Sequence, residues 1–492
     1  MNLKYNDTIC APATSVGTGA ISVIRVSGPE SLAIADRVVK CRKGTLSDAP
    51  GYSMKYGTVY KASAAEDSDF PGTGAKREIL DDVVVAVFRA PHSYTGEDSV
   101  EISCHASLYI VTELLGLLVS AGARMAEPGE FTRRAFVNGK MDLAQAEAVA
   151  DVISASSEVA HRVAVNQLRG GYSLELKSLR DKLLEATAMM ELELDFSEEE
   201  VEFADRKELR ALLESLRAQV SHLAASFRAG NALKNGVPVA IVGAANAGKS
   251  TLLNALLGED RAIVSPIAGT TRDTVEEVLI LEGILFRFID TAGLRDTSDE
   301  IERMGISRSY NALQHADVVI GVLDGTLPPS VVSASAQEIK SQCSEEQTLI
   351  FVSNKSDLAE GADELLRVSA ADGCPNGGIL GVSVADDDII LRVSAKTGDG
   401  LDALRTAIVE SQQGRFNSGE TLVTNLRHYE ALTRALASID RCLAGLDSGL
   451  STELLAEDIR AAISELGSVW GEGGITSQET LNLIFAKHCI GK

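Results

Sequence analysis

The chain has 492 residues, enough for about three domains at roughly 150 residues each. Hydrophobic residues make up 45% and charged ones 24%, so each domain can bury an ordinary core and general disorder is not expected. The formal charge of −24, from 70 acidic against 46 basic residues, excludes a uniformly basic nucleic-acid binder but leaves room for a local basic patch.

No apolar run approaches the ~18 residues that span a bilayer, and the start, Met1 to Asp7, has no apolar signal core. Neither a membrane span nor secretion is expected. The cysteines Cys10, Cys41, Cys104, Cys343, Cys374, Cys442 and Cys489 are scattered singly, without CxxC pairs or histidines at metal spacing. This predicts reduced thiols in a cytoplasm rather than a disulfide framework or a zinc site.

In chain order, Ile21–Val26 and Val83–Phe88 are β-branched runs that suit strands, and Leu108–Val119 reads as a helix ended by Ala121-Gly122. The small and acidic stretch from Ser63 to Gly74 reads as a loop. From Asp142 the texture becomes long helices: Leu143, Ala146, Ala150 and Ile153 fall at helical spacing, as do Leu176, Leu179, Leu183, Met190 and Leu194. The acidic run Ser197–Glu202 reads as a solvated bend, after which Leu209, Leu213, Leu216, Val220 and Leu223 restart the stripe. At Val237 strands begin to alternate with helices and glycine-rich turns, until about Gln412. Helices then return, with Leu422, Leu426, Tyr429, Leu432, Leu436, Ile439 and Leu443 on one face. The simplest packing sets the two helical blocks against each other, with an α/β domain inserted between them. The expected segments are therefore 1–122 (α+β), 123–234 and 415–492 (one discontinuous all-α domain) and 235–414 (inserted α/β domain).

Gly243-Ala244-Ala245-Asn246-Ala247-Gly248-Lys249-Ser250 fits G-x-x-x-x-G-K-[ST], preceded by the apolar run Val237–Val242 and followed by the helix-like Thr251–Leu257. In that context backbone N–H groups, including those of Ala247, Gly248 and Thr251, converge on phosphate oxygens, Lys249 adds a point charge and Ser250 reaches Mg²⁺. Three further elements follow in order. Asp290-Thr291-Ala292-Gly293 offers a carboxylate for Mg²⁺ through water and a glycine N–H for the γ-phosphate. Asn354-Lys355-Ser356-Asp357 offers a carboxylate that can accept both the ring N–H and the exocyclic amine of guanine, a donor pair adenine lacks. Ser394-Ala395-Lys396 would complete the base pocket with a backbone N–H. Together these make a Ras-like P-loop site for GTP.

The hydrolytic apparatus is less plain. Where Ras-like proteins carry a water-orienting glutamine after the D-x-x-G glycine, this chain has Leu294. Either hydrolysis is poor or another group positions water; Asp296, Asp299, Glu300 and Glu302 are the acidic candidates downstream. No arginine finger is identifiable, and Arg272 and Arg295 read as solvated or salt-bridged side chains.

These residues resemble the MnmE/TrmE family of tRNA-modification GTPases, essentially from end to end. Gly269-Thr270-Thr271-Arg272-Asp273 matches the family's switch I. The resemblance implies that Thr271 ligates Mg²⁺ with Ser250 and Asp290, and that Asn246, otherwise an ordinary turn residue, binds K⁺ with Ser265, Ile267 and Thr270. That ion would occupy the place of an arginine finger, sealed when two G domains meet face to face. Glu302 matches the water-orienting residue.

The N-terminal segment resembles the family's tetrahydrofolate-binding and dimerisation domain through Asp7-Thr8-Ile9, Ile24–Gly28, Tyr94–Glu101 and Pro128–Phe136. It implies a 5-formyl- or methylene-tetrahydrofolate held by Arg25, Glu101, Lys140 and Lys492. The C-terminus, Phe485-Ala486-Lys487-His488-Cys489-Ile490-Gly491-Lys492, is close to a terminal F-C-I-G-K, with His488 where Phe is usual. Thr476 and Glu479 form a capping-box pattern ahead of it. Cys489 is either a nucleophile towards the pyrimidine ring or a small packed residue.

The family further implies a potassium-stimulated, homodimeric GTPase acting on tRNA wobble uridine. With an FAD-using MnmG (GidA) partner, in a heterotetramer or larger complex, it adds an aminomethyl or carboxymethylaminomethyl group at carbon 5. The rival reading is a ribosome-associated or regulatory GTPase switch without modification chemistry.

Overall fold

The computed structural model describes residues 6–15, 17, 19–61, 78–195, 206–258, 277–289, 313–344, 346–358, 381–382, 390–413, 421–472 and 485. The Ser63–Gly74 stretch, the acidic run Ser197–Glu202, the Gly269–Asp273 element with Ser265 and Ile267, the Asp290–Gly293 motif, Leu294, Glu302, the Thr476/Glu479 pattern, Cys489 and Lys492 lie outside the described residues. The chain divides into two compact units, residues 1–154, 164–217 and 434–492 in one, 155–163 and 218–433 in the other.

In the first unit, short apolar runs alternate in-and-out and pair as β1 (Ile9–Pro12), β2 (Ile21–Ser27), β3 (Val39–Cys41), β4 (Ser53–Tyr60), β5 (Ile79–Phe88), β6 (Ser99–His105) and β7 (Arg124–Met125). Their order is β3-β4-β5-β6-β2-β1-β7, antiparallel except for β1 with β7. Helices α1 (Ser31–Val38) and α2 (Leu108–Ser120) bury Leu32, Ile34, Ala35, Val111, Leu114 and Leu118 on one face, against Ile24, Val26, Val85, Val87, Val100 and Ile102. The period-two alternation puts Tyr56, Val84 and Ala86 on the opposite, open face, where Met54 is 71% and Tyr52 73% exposed.

Helix α3 (Glu130–Val137) is fastened to the β1–β7 edge of this sheet through a buried ionic knot. Glu130 and Arg134 are both fully buried. Arg134 Nη2 lies 3.0 Å from Glu130 Oε1 and 2.8 Å from Asp7 Oδ1, while Arg124 Nη2 lies 2.7 Å from Glu130 Oε1 and 2.6 Å from Asp7 Oδ2. Such charges are tolerated in a core only when mutually paired and hydrogen-bonded.

The helical stripe read from the sequence forms α4 (Leu143–Ser154), α5 (Glu158–Leu168), α6 (Gly171–Asp195), α7 (Arg206–Ala225) and α8 (Phe227–Asn235). Helix α6 buries Leu176, Leu179, Leu183 and Met190. The second unit then begins its own sheet with β8 (Val237–Gly243), α9 (Lys249–Leu257), β9 (Glu277–Leu281), β10 (Ile284–Phe288), β11 (Val318–Asp324), α10 (Pro329–Gln342), β12 (Thr348–Asn354), β13 (Gly381–Val382), β14 (Ile390–Arg392) and α11 (Leu401–Gln413). Its order is β13-β14-β12-β11-β8-β10-β9, parallel from β14 to β10, with antiparallel strands only at the two edges. Strands buried on both faces read as continuous apolar runs, which is why Val237–Val242 and Val318–Leu323 show no alternation.

The chain closes its helical part with α12 (Leu426–Asp447) and α13 (Thr452–Trp470). Within the first unit, α13 packs on α6 and α4, and Arg217 pairs with Asp440 and Arg210 with Asp447, so the two helical blocks do meet as the sequence predicts. The stripe differs at its start. Leu422 precedes the helix, and Leu426 is 57% exposed; the buried face is Ala431, Leu432, Ala435, Ile439 and Cys442. Small residues at these positions let neighbouring helices approach, and a search for large apolar residues overlooks them. Among the described residues no helix is long and apolar enough to cross a membrane.

Burial opposes the Glu130 charge, but hydrogen bonds from Arg124, the Glu127 backbone N–H and Arg134 outweigh it and hold its carboxyl below the ordinary value of 4.5. A depressed carboxyl stabilises the fold at neutral pH, and that stabilisation is lost as pH falls below about 4.5. Glu130→Gln leaves two arginines underpaired and is expected to cost about 3–5 kcal/mol at pH 7. Calorimetric melting between pH 7 and 3 should show a lower, flatter midpoint in the variant; a midpoint equal to that of the parent chain at pH 7 would contradict this.

Candidate functional site: a phosphate loop braced to a base-reading loop

Strand β8 lies inside the second sheet, with β10 on one side and the central strand β11 on the other. This is the topological switch point, where the carboxyl ends of parallel strands leave a crevice for a ligand. The chain leaves β8 at Gly243 and re-enters helix at Lys249. Gly243 has φ +154°, and an added Cβ there would lie 2.2 Å from the Val322 carbonyl oxygen. Gly248 has φ +93°, and its Cβ would lie 2.2 Å from Asn354 Nδ2. Both positions therefore require glycine for space as well as for conformation.

Between them Asn246 adopts φ +61° and is exposed, whereas Ala247 is buried. The Lys249 ammonium donates to the carbonyl oxygens of Gly243 and Ala244, each at 2.8 Å, and burial lowers its pKa. Ser250 is half-buried and Thr251 exposed in the first turn of α9. Backbone N–H groups at such a helix start, beside a lysine held by its own loop, suit a polyphosphate. Ser250 carries a hydroxyl oxygen, a hard donor of the kind Mg²⁺ accepts.

The other end of the site comes from the ends of β12, β11 and β14. Asn354 is 2% exposed and bridges two loops: its Nδ2 donates to the Ala247 carbonyl at 2.9 Å, and its Oδ1 accepts from the Ala395 N–H at 3.0 Å. Asp357 is exposed, with its carboxylate aimed by a 2.8 Å hydrogen bond from Ser394 Oγ. The N–H of Ser394 itself bonds to the Asp399 carbonyl. The N–H groups of both Ser394 and Ala395 are thus engaged within the protein, so the two residues act by holding Asp357 and Asn354.

Lys355, at φ +65°, reaches back to Asp324 Oδ2 at 2.6 Å, and Asp324 also accepts from Thr326 N–H and Oγ1–H. Hydrogen bonds from Lys355 and Thr326 overcome the burial cost and keep the Asp324 carboxyl low. Reading motifs alone misses Asp324 and Thr326. Their only signal is a carboxylate ending an apolar strand, immediately before Gly325.

The first unit brings together a second group. Arg25 and Glu101 are cross-strand partners on β2 and β6, with Nη2–Oε1 at 2.8 Å. The Arg25 guanidinium sits 4.9 Å from the Tyr94 ring centroid and 5.6 Å from that of Phe131. Lys140 is exposed and donates to the Pro91 carbonyl at 3.0 Å, at the start of the loop that carries Tyr94. Phe485 is buried on Leu143 and Ala146, with Phe136 and Met141 packed around it. Arg25 and Glu101 are therefore joined, and Lys140 lies beside the same loop.

Gly248→Ala drives a methyl into Asn354 Nδ2 and strains the backbone. It is expected to weaken GTP binding by at least about 100-fold, the loss of several phosphate-cradling N–H groups. Isothermal titration checks this, and an affinity within a few-fold of the parent chain would contradict it.

Comparison with known proteins agrees with this geometry. A model of the MnmE helical domain matches residues 143–489, and one of the GTP-binding protein TrmE N-terminus matches residues 8–140. The tRNA modification GTPase MnmE of Bacteroides thetaiotaomicron is 46% identical over 489 residues, covering 99% of each chain. That of Bacteroides fragilis strain YCH46 is 47% identical over 489 residues, and that of Flavobacterium johnsoniae 43% over 490, again covering 99% of each chain. The chain belongs to the MnmE family of tRNA modification GTPases and is a GTP hydrolase with an inserted P-loop domain.

Proposed function

We propose that this GTP hydrolase is stimulated by K⁺ and drives addition of an aminomethyl or carboxymethylaminomethyl group to tRNA wobble uridine, as a homodimer working with an FAD-dependent MnmG-type partner. The observation that carries the reading is the presence in one chain of a braced GTP site and an aromatic-boxed Arg25–Glu101 pair, over a full-length relationship to MnmE. A nucleotide switch alone has no use for the second group.

Segment 235–414 is the G domain, 1–122 the folate and dimerisation domain, and 123–234 with 415–492 the helical domain. Asp357 reads guanine, Lys249 and the loop hold phosphate, and Ser250, with Thr271 and Asp290, ligates Mg²⁺. Asn246, exposed at positive φ on the phosphate loop, is free of the structural duty that buries Ala247 and can offer its side-chain oxygen to K⁺, with Ser265, Ile267 and Thr270. When bound, that ion supplies the charge neutralisation of an arginine finger. Glu302 positions the attacking water that Leu294 cannot.

Arg25, Glu101, Lys140 and Lys492 hold a tetrahydrofolate derivative: the ion pair and rings suit a pterin, and Lys140 suits its glutamate tail. Phe485, buried on Leu143 and Ala146, anchors the start of the Phe485–Lys492 run in the first unit. The open sheet face with Met54, Tyr56, Val84 and Ala86 supports the dimer, since large exposed apolar patches mark interaction sites. The acidity of the chain suits a partner that supplies most of the tRNA-binding surface.

GTP turnover measured in KCl and in NaCl at matched ionic strength tests the reading. Turnover should rise at least about 10-fold in KCl, in the range by which a missing transition-state cation changes rate, with G-domain pairing under the same salt. Equal turnover in both salts would contradict it.

A further inference from the structure

Strands β11 and β12 run parallel and end level, with Asp324 opposite Asn354. The chain turns away from β11 at once. The Gly325 N–H donates to the Asn354 carbonyl at 2.9 Å, and a Cβ on Gly325 would lie 2.8 Å from that oxygen and from Ser353 Oγ. This close approach sets the Asp324 carboxylate beside the start of the Asn354–Asp357 run. Its two oxygens divide their work. Oδ1 accepts the Thr326 N–H at 3.0 Å and the Thr326 Oγ1–H at 2.6 Å, a local turn that fixes the side chain. Oδ2 receives the Lys355 ammonium at 2.6 Å, with the two side chains only 14% and 30% exposed.

Lys355 holds this position from a backbone φ of +65°, which residues bearing a Cβ seldom adopt. Asp357 lies two residues further on, at most about 7 Å along an extended chain. A flexible lysine stem covers that span, so the ammonium has two carboxylates in reach and rests on Asp324. Asp357 is exposed, and its hydrogen bond from Ser394 Oγ leaves lone pairs on both oxygens for a base. Guanine needs both oxygens, one for its ring N–H and one for its exocyclic amine. Hypoxanthine offers the ring N–H alone. A lysine resting on Asp357 would therefore occupy an oxygen that only guanine requires.

We propose that Asp324 is a specificity-determining residue of the GTP site, holding the Lys355 ammonium away from Asp357 so that both carboxylate oxygens stay open to guanine. Asp324 is a positioning residue and touches no nucleotide. The inference rests on reading Asp357 as the guanine acceptor.

Equilibrium binding of GDP and IDP, which are not turned over, to the full chain tests it. Asp324→Asn keeps an acceptor for Thr326 and removes the charge that holds Lys355. An exposed lysine–carboxylate pair competes by a few-fold, so the ratio of GDP to IDP affinity should shrink about three- to fivefold. Adding Lys355→Met, an apolar stem without the ammonium, should return the ratio to within about 1.5-fold of the parent chain, a repair that a merely structural loss at Asp324 would not show. If the double variant does not fold, Asp324→Asn is measured in about 0.1 and about 1 M NaCl, where screening of the competing pair should restore the ratio. If Asp324→Asn itself does not fold, Asp324→Ser is used with the same expectations. An unchanged ratio in the Asp324 variant, or a loss that the repair step leaves in place, overturns the proposal and leaves Asp357 as the base reader. A parent chain that binds GDP and IDP alike overturns the guanine reading and this inference with it.

Discussion

The GTP site depends on one carboxamide. Asn354, at the end of a buried parallel strand, donates to the phosphate loop and accepts from the loop that aims Asp357. Each hydrogen bond is worth only about 0.5–1.5 kcal/mol net, but a buried amide left half-satisfied costs more than it contributes when paired. The phosphate end and the base end are therefore held in one arrangement or not at all. The glycine at Gly248 follows from the same constraint, because no side chain fits between the loop and Asn354.

What was legible in the sequence followed from contiguity. The phosphate loop, the Asn354–Asp357 run and the Ser394-Ala395 pair each lie in a few consecutive residues, and their order along a parallel sheet brings them to one crevice. The apolar runs gave most of the strands and the helical spacing most of the helices. Partners supplied by other elements were illegible. Asp324 and Thr326, which seat Lys355, sit at the end of a different strand, marked locally only by a carboxylate ending an apolar run before Gly325. The roles of Ser394 and Ala395 as braces became visible only from the direction of their hydrogen bonds. Leu422 was drawn into a helical stripe by spacing alone, although the chain is not helical there and the real buried face is built from Ala431, Ala435 and Cys442.

The two units solve the problem of buried charge differently. In the first, α3 carries Glu130 and Arg134 into a core and satisfies them with Arg124 and Asp7, fastening β1, β7 and α3 together. Arg25 instead pairs with a single carboxylate, that of Glu101, and is boxed by the Tyr94 and Phe131 rings. In the second unit the charged groups Lys249, Asp324, Lys355 and Asp357 all gather at the carboxyl ends of the strands, where a polar ligand would bind. An acidic chain thus concentrates its few functional cations at two places.

The coupling of the two ends of the GTP site is tested most directly with nucleotide analogues. The ratio of GTP to ITP affinity reads the exocyclic amine at the Asp357 end, and the ratio of GTP to GMP affinity reads the phosphate end. In Asn354→Asp, which keeps the acceptor for Ala395 but loses the donor to Ala247, the account predicts that both ratios shrink together. A variant in which the phosphate ratio collapses while GTP and ITP remain as well discriminated as in the parent chain would show that the ends are independent, and would contradict it.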